Sequence, residues 1–138
     1  MFREDRSTPV ITDFGVVRDL TDSSMTPTWA PRGPGTPYFA SPEQLNNEKD
    51  LTDWRSDQFA LGVVLAYVTL QQHPYMLPGI PDQDVVDRVS SRIGPAEHFV
   101  ACANEAGLSV LSKMVAPWPV DRYRTPSHLA TAWRGQRE

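Results

Sequence analysis

Between positions 16 and 42 the chain carries Pro27, Pro31, Pro34, Pro37 and Pro42, with Gly33 and Gly35 set among them. A proline inside a helix removes a backbone donor and clashes with the preceding turn, and in a central strand it removes a ladder bond. The stretch is therefore neither a long helix nor a central strand. An irregular loop of this length inside a compact chain is usually functional. Regular structure has to lie on either side of it. Upstream, Val10 and Ile11 are β-branched strand formers behind the polar turn Glu4 to Pro9, so residues 1–12 read as the tail of a β-hairpin.

Downstream the pattern is helical. Ser56 to Leu70 holds Phe59, Ala60, Leu61, Val63, Val64, Leu65, Ala66, Tyr67, Val68 and Leu70, which cover every face of a helix. A helix apolar all round is a buried one. Ser56 or Asp57 suits its N-cap, and Pro74 follows its end. Asp82 to Ile93 places Val85, Val86, Val89 and Ile93 on one face, with Gly94 at its stop. Glu105 to Ala116 places Leu108, Leu111 and Val115 on one face, and Pro117 and Pro119 end it. Pro126 opens a last helix with Leu129 and Trp133 facing inward. The expected architecture is mainly α: a short β element, a long loop and four helices.

Composition excludes several function classes. A formal net charge of −4 gives no basic nucleic-acid footprint, so no nucleic-acid partner is expected. The one cysteine, Cys102, excludes a disulfide framework and a Cys-rich zinc site, and reads as a small buried hydrophobe. His73, His98 and His128 share no metal-ligand spacing and read as surface or helix-end residues. The longest apolar stretch, Phe59 to Val68, is too short to span a bilayer, and the opening MFREDRST has no apolar signal region. No membrane span and a cytoplasmic location are expected. The 138 residues, 40% hydrophobic and 22% charged, suit one domain or one large lobe.

Four motifs stand in order along this framework. They are Thr12-Asp13-Phe14-Gly15 after the strand, Gly35-Thr36-Pro37-Tyr38-Phe39-Ala40-Ser41-Pro42-Glu43, Ser56-Asp57-Gln58-Phe59-Ala60-Leu61-Gly62, and Pro119-Val120-Asp121-Arg122. In this order and spacing the chain resembles the C-terminal lobe of a eukaryotic-type Ser/Thr protein kinase of the kind found in bacteria. The resemblance implies three parts: a hairpin at 1–12, an Mg-binding motif and activation segment at 13–43, and a helical lobe at 56–138.

The resemblance also implies roles. Asp13 offers the hard carboxylate oxygen that Mg²⁺ prefers beside ATP phosphates, Phe14 packs, and Gly15 lets the backbone turn. Thr36 resembles the threonine that supports the catalytic aspartate, within the wall that contacts the substrate residue after the phosphoacceptor. The stretch Gly35-Thr36-Pro37 resembles the Ser/Thr class rather than the Tyr class. Ser41-Pro42-Glu43 stands for the family's A-P-E, with Ser in place of Ala. Glu43 should pair with Arg122, two buried charges that each need the other, and so clip the activation segment to the helical lobe. Asp57 resembles the aspartate that holds the catalytic-loop backbone. Thr21, Ser23, Ser24, Thr26 and Thr28 are candidate phosphosites, with Arg18, Arg32 and Arg55 as phosphate partners. Trp54 and Trp118 read as packing residues.

Other family parts are not in the sequence. No His-Arg-Asp catalytic loop is present, and none of the twelve residues before Asp13 is Asn. There is no Gly-rich phosphate loop, and neither Lys49 nor Lys113 follows the pattern of the ATP-pairing lysine. The chain looks like a kinase cut between its catalytic loop and its Mg-binding motif. The expectation is a Ser/Thr protein kinase by descent, inactive as this stretch alone. Mg²⁺ and ATP belong to the complete kinase, with a protein substrate or the missing kinase half as partner. The alternative is a non-catalytic, kinase-like protein-binding module, a pseudokinase in the broad sense.

Overall fold

The computed structural model describes residues 37–137. The expected hairpin, Asp13, Phe14, Gly15, Thr36 and the five candidate phosphosites lie outside the described residues. A 3-10 turn at Pro37–Phe39 leads into helix α1, Pro42–Leu45. Then follow α2 (Trp54–Leu70), α3 (Asp82–Ser90), α4 (Glu97–Glu105), α5 (Val110–Met114) and α6 (Pro126–Arg134). Further 3-10 turns lie at Lys49–Leu51, Pro119–Asp121 and Gly135–Arg137. No strand occurs among the described residues.

Helix α2 is the axis. Asp53 caps it: its backbone is extended and its carboxylate accepts from the Arg55 N–H at 2.8 Å. The helix therefore starts before Ser56 and Asp57, and neither is the N-cap expected from the sequence. Asp53 also holds the Arg55 guanidinium, an ion pair that fixes the first turn. At the other end Gln71 takes the left-handed conformation (φ 56°), and its N–H returns to the Tyr67 carbonyl.

One side of α2 packs through Phe59, Gly62, Val63 and Ala66. Gly62 lets α5 come close: a Cβ there would lie 2.8 Å from Val115 Cγ1 and 3.0 Å from Met114 Cβ. The other side departs from the expectation of burial all round. Leu61 is 47% exposed, Val64 44% and Val68 68%. The core gathers the inner side of α2 with Tyr75, Val85 and Val89 of the next segment, Phe99 and Ala103 of α4, and Val110, Leu111, Met114 and Val115. The Tyr75 hydroxyl donates to the Val115 carbonyl at 2.8 Å, so the buried phenol satisfies its polar end inside the core.

Three helix ends close in the same way. After α4 the Leu108 N–H donates to the Ala103 carbonyl and the Gly107 N–H to the Asn104 carbonyl. This is the double bond pattern of a Schellman cap, with Gly107 at φ +68°. The helix expected over Glu105–Ala116 is thereby corrected: Gly107 ends one helix, and a second, α5, begins at Val110. Helix α4 has no counterpart among the helices expected from the sequence. After α3, Arg92 takes the left-handed position (φ 54°), its N–H on the Val89 carbonyl and the Ile93 N–H on the Arg88 carbonyl. The helix thus stops at Ser90, short of Ile93, which is exposed instead of inward. After α1, Asn47 (φ 55°) does the same. Leu129 and Trp133 of α6 pack against the core as expected.

Candidate functional site

The site is built around the first turn of α2. Glu43 arrives from α1, whose start is held by Ser41: its N–H and its hydroxyl both donate to Gln44 Oε1 at 3.0 Å. Ser in the family's Ala position thus has a partner for its buried hydroxyl. Arg122 arrives from the segment after the Pro119–Asp121 turn. Its guanidinium meets Glu43 in a two-pronged pair, Nη1 to Oε1 at 2.6 Å and Nη2 to Oε2 at 3.0 Å, with both side chains fully buried.

The remaining donors of Arg122 are all used. Nε donates to the Ala116 carbonyl at 2.8 Å, Nη1 to the Arg55 carbonyl at 2.9 Å and Nη2 to the Pro117 carbonyl at 3.3 Å. All five guanidinium N–H groups are thus bonded, and the Phe59 ring lies under the plane at 4.9 Å. On the acid, Ser56 Oγ donates to Oε1 at 2.7 Å. Burial alone would raise the Glu43 pKa. The bonds and charge of Arg122, helped by Ser56, outweigh it and hold the carboxyl below its ordinary range. The pair stays ionised because both carboxylate oxygens and all five guanidinium protons have partners.

Neighbouring residues extend this clasp. Gln58 takes Tyr123 by its backbone at two points: Nε2 donates to the Tyr123 carbonyl and Oε1 accepts the Tyr123 N–H, both at 3.0 Å. Arg55 Nη1 donates to the Pro119 carbonyl at 3.2 Å. Arg55 is thus already bound to Asp53 and to this turn. The roles of Ser56 and Gln58 were not legible beforehand, because their partners are a carboxylate and a backbone far away in sequence. Asp57 lies beside them on the open side of the turn. Its carboxylate has no hydrogen-bond or ion-pair partner among the described residues. Partial desolvation, and then the nearby Asp53 carboxylate, push its pKa up.

A second cluster holds the Pro37–Phe39 turn. The Tyr67 hydroxyl donates to the Tyr38 hydroxyl at 2.7 Å. His73 is buried, contrary to its reading as a surface residue, because both ring nitrogens find backbone partners. Nδ1 accepts from the Tyr75 N–H at 3.0 Å, and Nε2 lies 3.0 Å from the Tyr38 carbonyl. Burial lowers the imidazole pKa from 6.5 to about 4, against the Tyr38 carbonyl and Asp82, which favour the charge. Burial, then the Tyr67 hydroxyl, raises the Tyr38 phenol. Cys102, expected inside, is exposed on α4. His98 and His128 are exposed. Trp118 is 47% exposed, with the Arg92 guanidinium over its ring at 4.0 Å; Arg92 is also paired with Glu48. No group of three or more His, Cys, Asp or Glu among the described residues could hold a metal ion. No helix among them is long and apolar enough to cross a membrane.

The protein kinase domain family matches residues 1–134. This chain belongs to the protein kinase family. It is 31% identical over 121 residues to a probable serine/threonine-protein kinase PknB of Bifidobacterium longum, covering 88% of this chain and 17% of that protein. It is 32% identical over 120 residues to serine/threonine-protein kinase PknB of Mycobacterium tuberculosis, covering 86% of this chain and 18% of that one. To serine/threonine-protein kinase PknB of Mycolicibacterium smegmatis it is 30% identical over 119 residues, covering 86% and 19%. The kinase chain thus spans less than a fifth of the length of these relatives. No solved structure matches it. The mainly helical arrangement of residues 37–137 is that of the family's C-terminal lobe.

Proposed function

We propose that this kinase chain is the activation-segment and substrate-docking part of a Ser/Thr protein kinase. On this reading residues 1–12 are a hairpin, 13–43 the Mg-binding motif and activation segment, and 56–138 the helical lobe. The observation that carries it is the buried Glu43–Arg122 pair, completed by Ser56 and by backbone carbonyls. It supports a role for Glu43 in tying the end of the segment to α2 and to the Ala116–Arg122 stretch. The Asp57 carboxylate beside it, without a partner among the described residues, is available to hold a neighbouring backbone, as the family role requires.

Asp13 is the residue that would hold Mg²⁺, which with ATP supplies the phosphoryl group in the complete kinase. That assignment stands on the motif alone. Thr36 would support the base, and the Pro37–Phe39 turn would meet a protein substrate. Charge added at Thr21, Ser23, Ser24, Thr26 or Thr28 would act on the same segment. Transfer also needs a positioned nucleotide and an oriented hydroxyl. The 138 residues hold no Gly-rich loop, no ATP-pairing lysine and no His-Arg-Asp loop.

The test is radiolabelled phosphate incorporation by the 138-residue chain, with Mg-ATP and a Ser/Thr-rich protein acceptor, alongside a thermal melt with and without Mg-ATP. The reading expects no incorporation above an Asp13→Ala control and no shift of the melt. Incorporation that disappears in Asp13→Ala would overturn the inactivity of this stretch and make Asp13 a working metal ligand.

A further inference from the structure

We propose that His73 is the positioning residue of the substrate-facing turn at Pro37–Phe39, an inference that rests on the docking role given above. His73 stands outside all four kinase motifs, and its ring works in two directions. Nδ1 accepts from the Tyr75 N–H at 3.0 Å. A neutral ring that accepts at Nδ1 carries its proton on Nε2, and that N–H donates to the Tyr38 carbonyl at 3.0 Å. The imidazole is therefore a two-way peg between the backbone after α2 and the backbone of the turn.

The turn's own closing bond, Ala40 N–H to the Pro37 carbonyl, measures 3.2 Å and spans a single turn. The Tyr67 hydroxyl holds the Tyr38 side chain, and the His73 and Tyr38 rings lie 4.7 Å apart by centroid. With Tyr38 fixed at backbone and side chain, the next residue is aimed outward. Phe39 is 37% exposed and rests against Tyr67, ring centroids 6.2 Å apart. On that docking role, Phe39 is the apolar side chain that the pegged turn presents outward.

Two substitutions divide the two bonds. In His73→Asn the amide oxygen can still accept from the Tyr75 N–H but stops short of Tyr38. In His73→Gln the amide N–H reaches toward Tyr38. Amide hydrogen exchange of the segment 37–45 in the 138-residue chain reads the turn. Binding of fluorescein-labelled peptides with Phe or Asp after a serine reads the docking surface. His73→Asn is expected to speed exchange of 37–45 about tenfold, with exchange in α4 and α5 unchanged, and to weaken the Phe peptide severalfold. His73→Gln is expected to restore most of both. Exchange that is the same in all three chains, or that rises equally through the core in both variants, would overturn the positioning role. A wild-type chain that binds neither peptide would overturn the docking reading instead, and the exchange data tell the two failures apart.

Discussion

A methyl group added at Gly62 has nowhere to go: Val115 and the Met114 stem already stand at 2.8 and 3.0 Å from its position. Both neighbours are buried, and α2 and α5 would have to separate. Gly62→Ala should therefore cost about 1–3 kcal/mol in urea unfolding, although alanine is the better helix former. The second residue-scale prediction concerns acid. The folded His73 imidazole titrates near 4, and the unfolded one near 6.5. As pH falls, the unfolded chain takes the proton first. The contribution is full above 6.5 and is lost between 6.5 and 4, about 2 kcal/mol by pH 5. Urea midpoints at pH 7.5 and 5 should show that loss in the wild-type chain, and His73→Asn should lack most of it. Glu43, whose pKa is lowered, acts in a lower window: its contribution is lost as pH falls through the carboxylate range. The burial of His73 was not legible, because a histidine before a proline carries no sign that two backbone groups await its ring.

The helix ends show how far local signals reach. The central helix was legible from its apolar run, and α6 from Pro126 with Leu129 and Trp133 behind it. Helix α4 was not: its N-cap position is Ala96, which offers no side-chain acceptor, and only Phe99 and Ala103 are buried. The apolar spacing of Leu108, Leu111 and Val115 suggests one helix through Gly107, where the left-handed backbone stops one. Of the three left-handed cap residues that end α1, α3 and α4, only Gly107 is a glycine. Arg92 carries the backbone cost and offsets it through Glu48 and the Trp118 ring. Arg92→Ala keeps the cost and removes both contacts, whereas Arg92→Gly removes the contacts and relieves the backbone. Both should destabilise, and the alanine variant should be the weaker by about 1 kcal/mol in paired urea melts. Gly107→Ala should cost about 1 kcal/mol for the same reason.

At the scale of the whole molecule, the order of the kinase motifs and the pairing of Glu43 with Arg122 were legible, because motif residues keep their chemistry whatever lies between them. The rest of the clasp was not. Arg122 is completed by three carbonyls and Glu43 by a serine, and backbone acceptors leave no trace in residue type. The half-exposed side of α2 was misread because an all-apolar helix signals burial without saying what covers it. The clasp joins α1, α2 and the Ala116–Arg122 stretch, and a double-mutant cycle by urea unfolding on Glu43→Gln, Arg122→Met and the pair together tests it. Each single change leaves a buried polar group without its partner and should cost about 3–5 kcal/mol, with the double costing little more than one single. Costs that simply add, or singles within about 0.5 kcal/mol of wild type as at an ordinary surface position, would contradict the clasp.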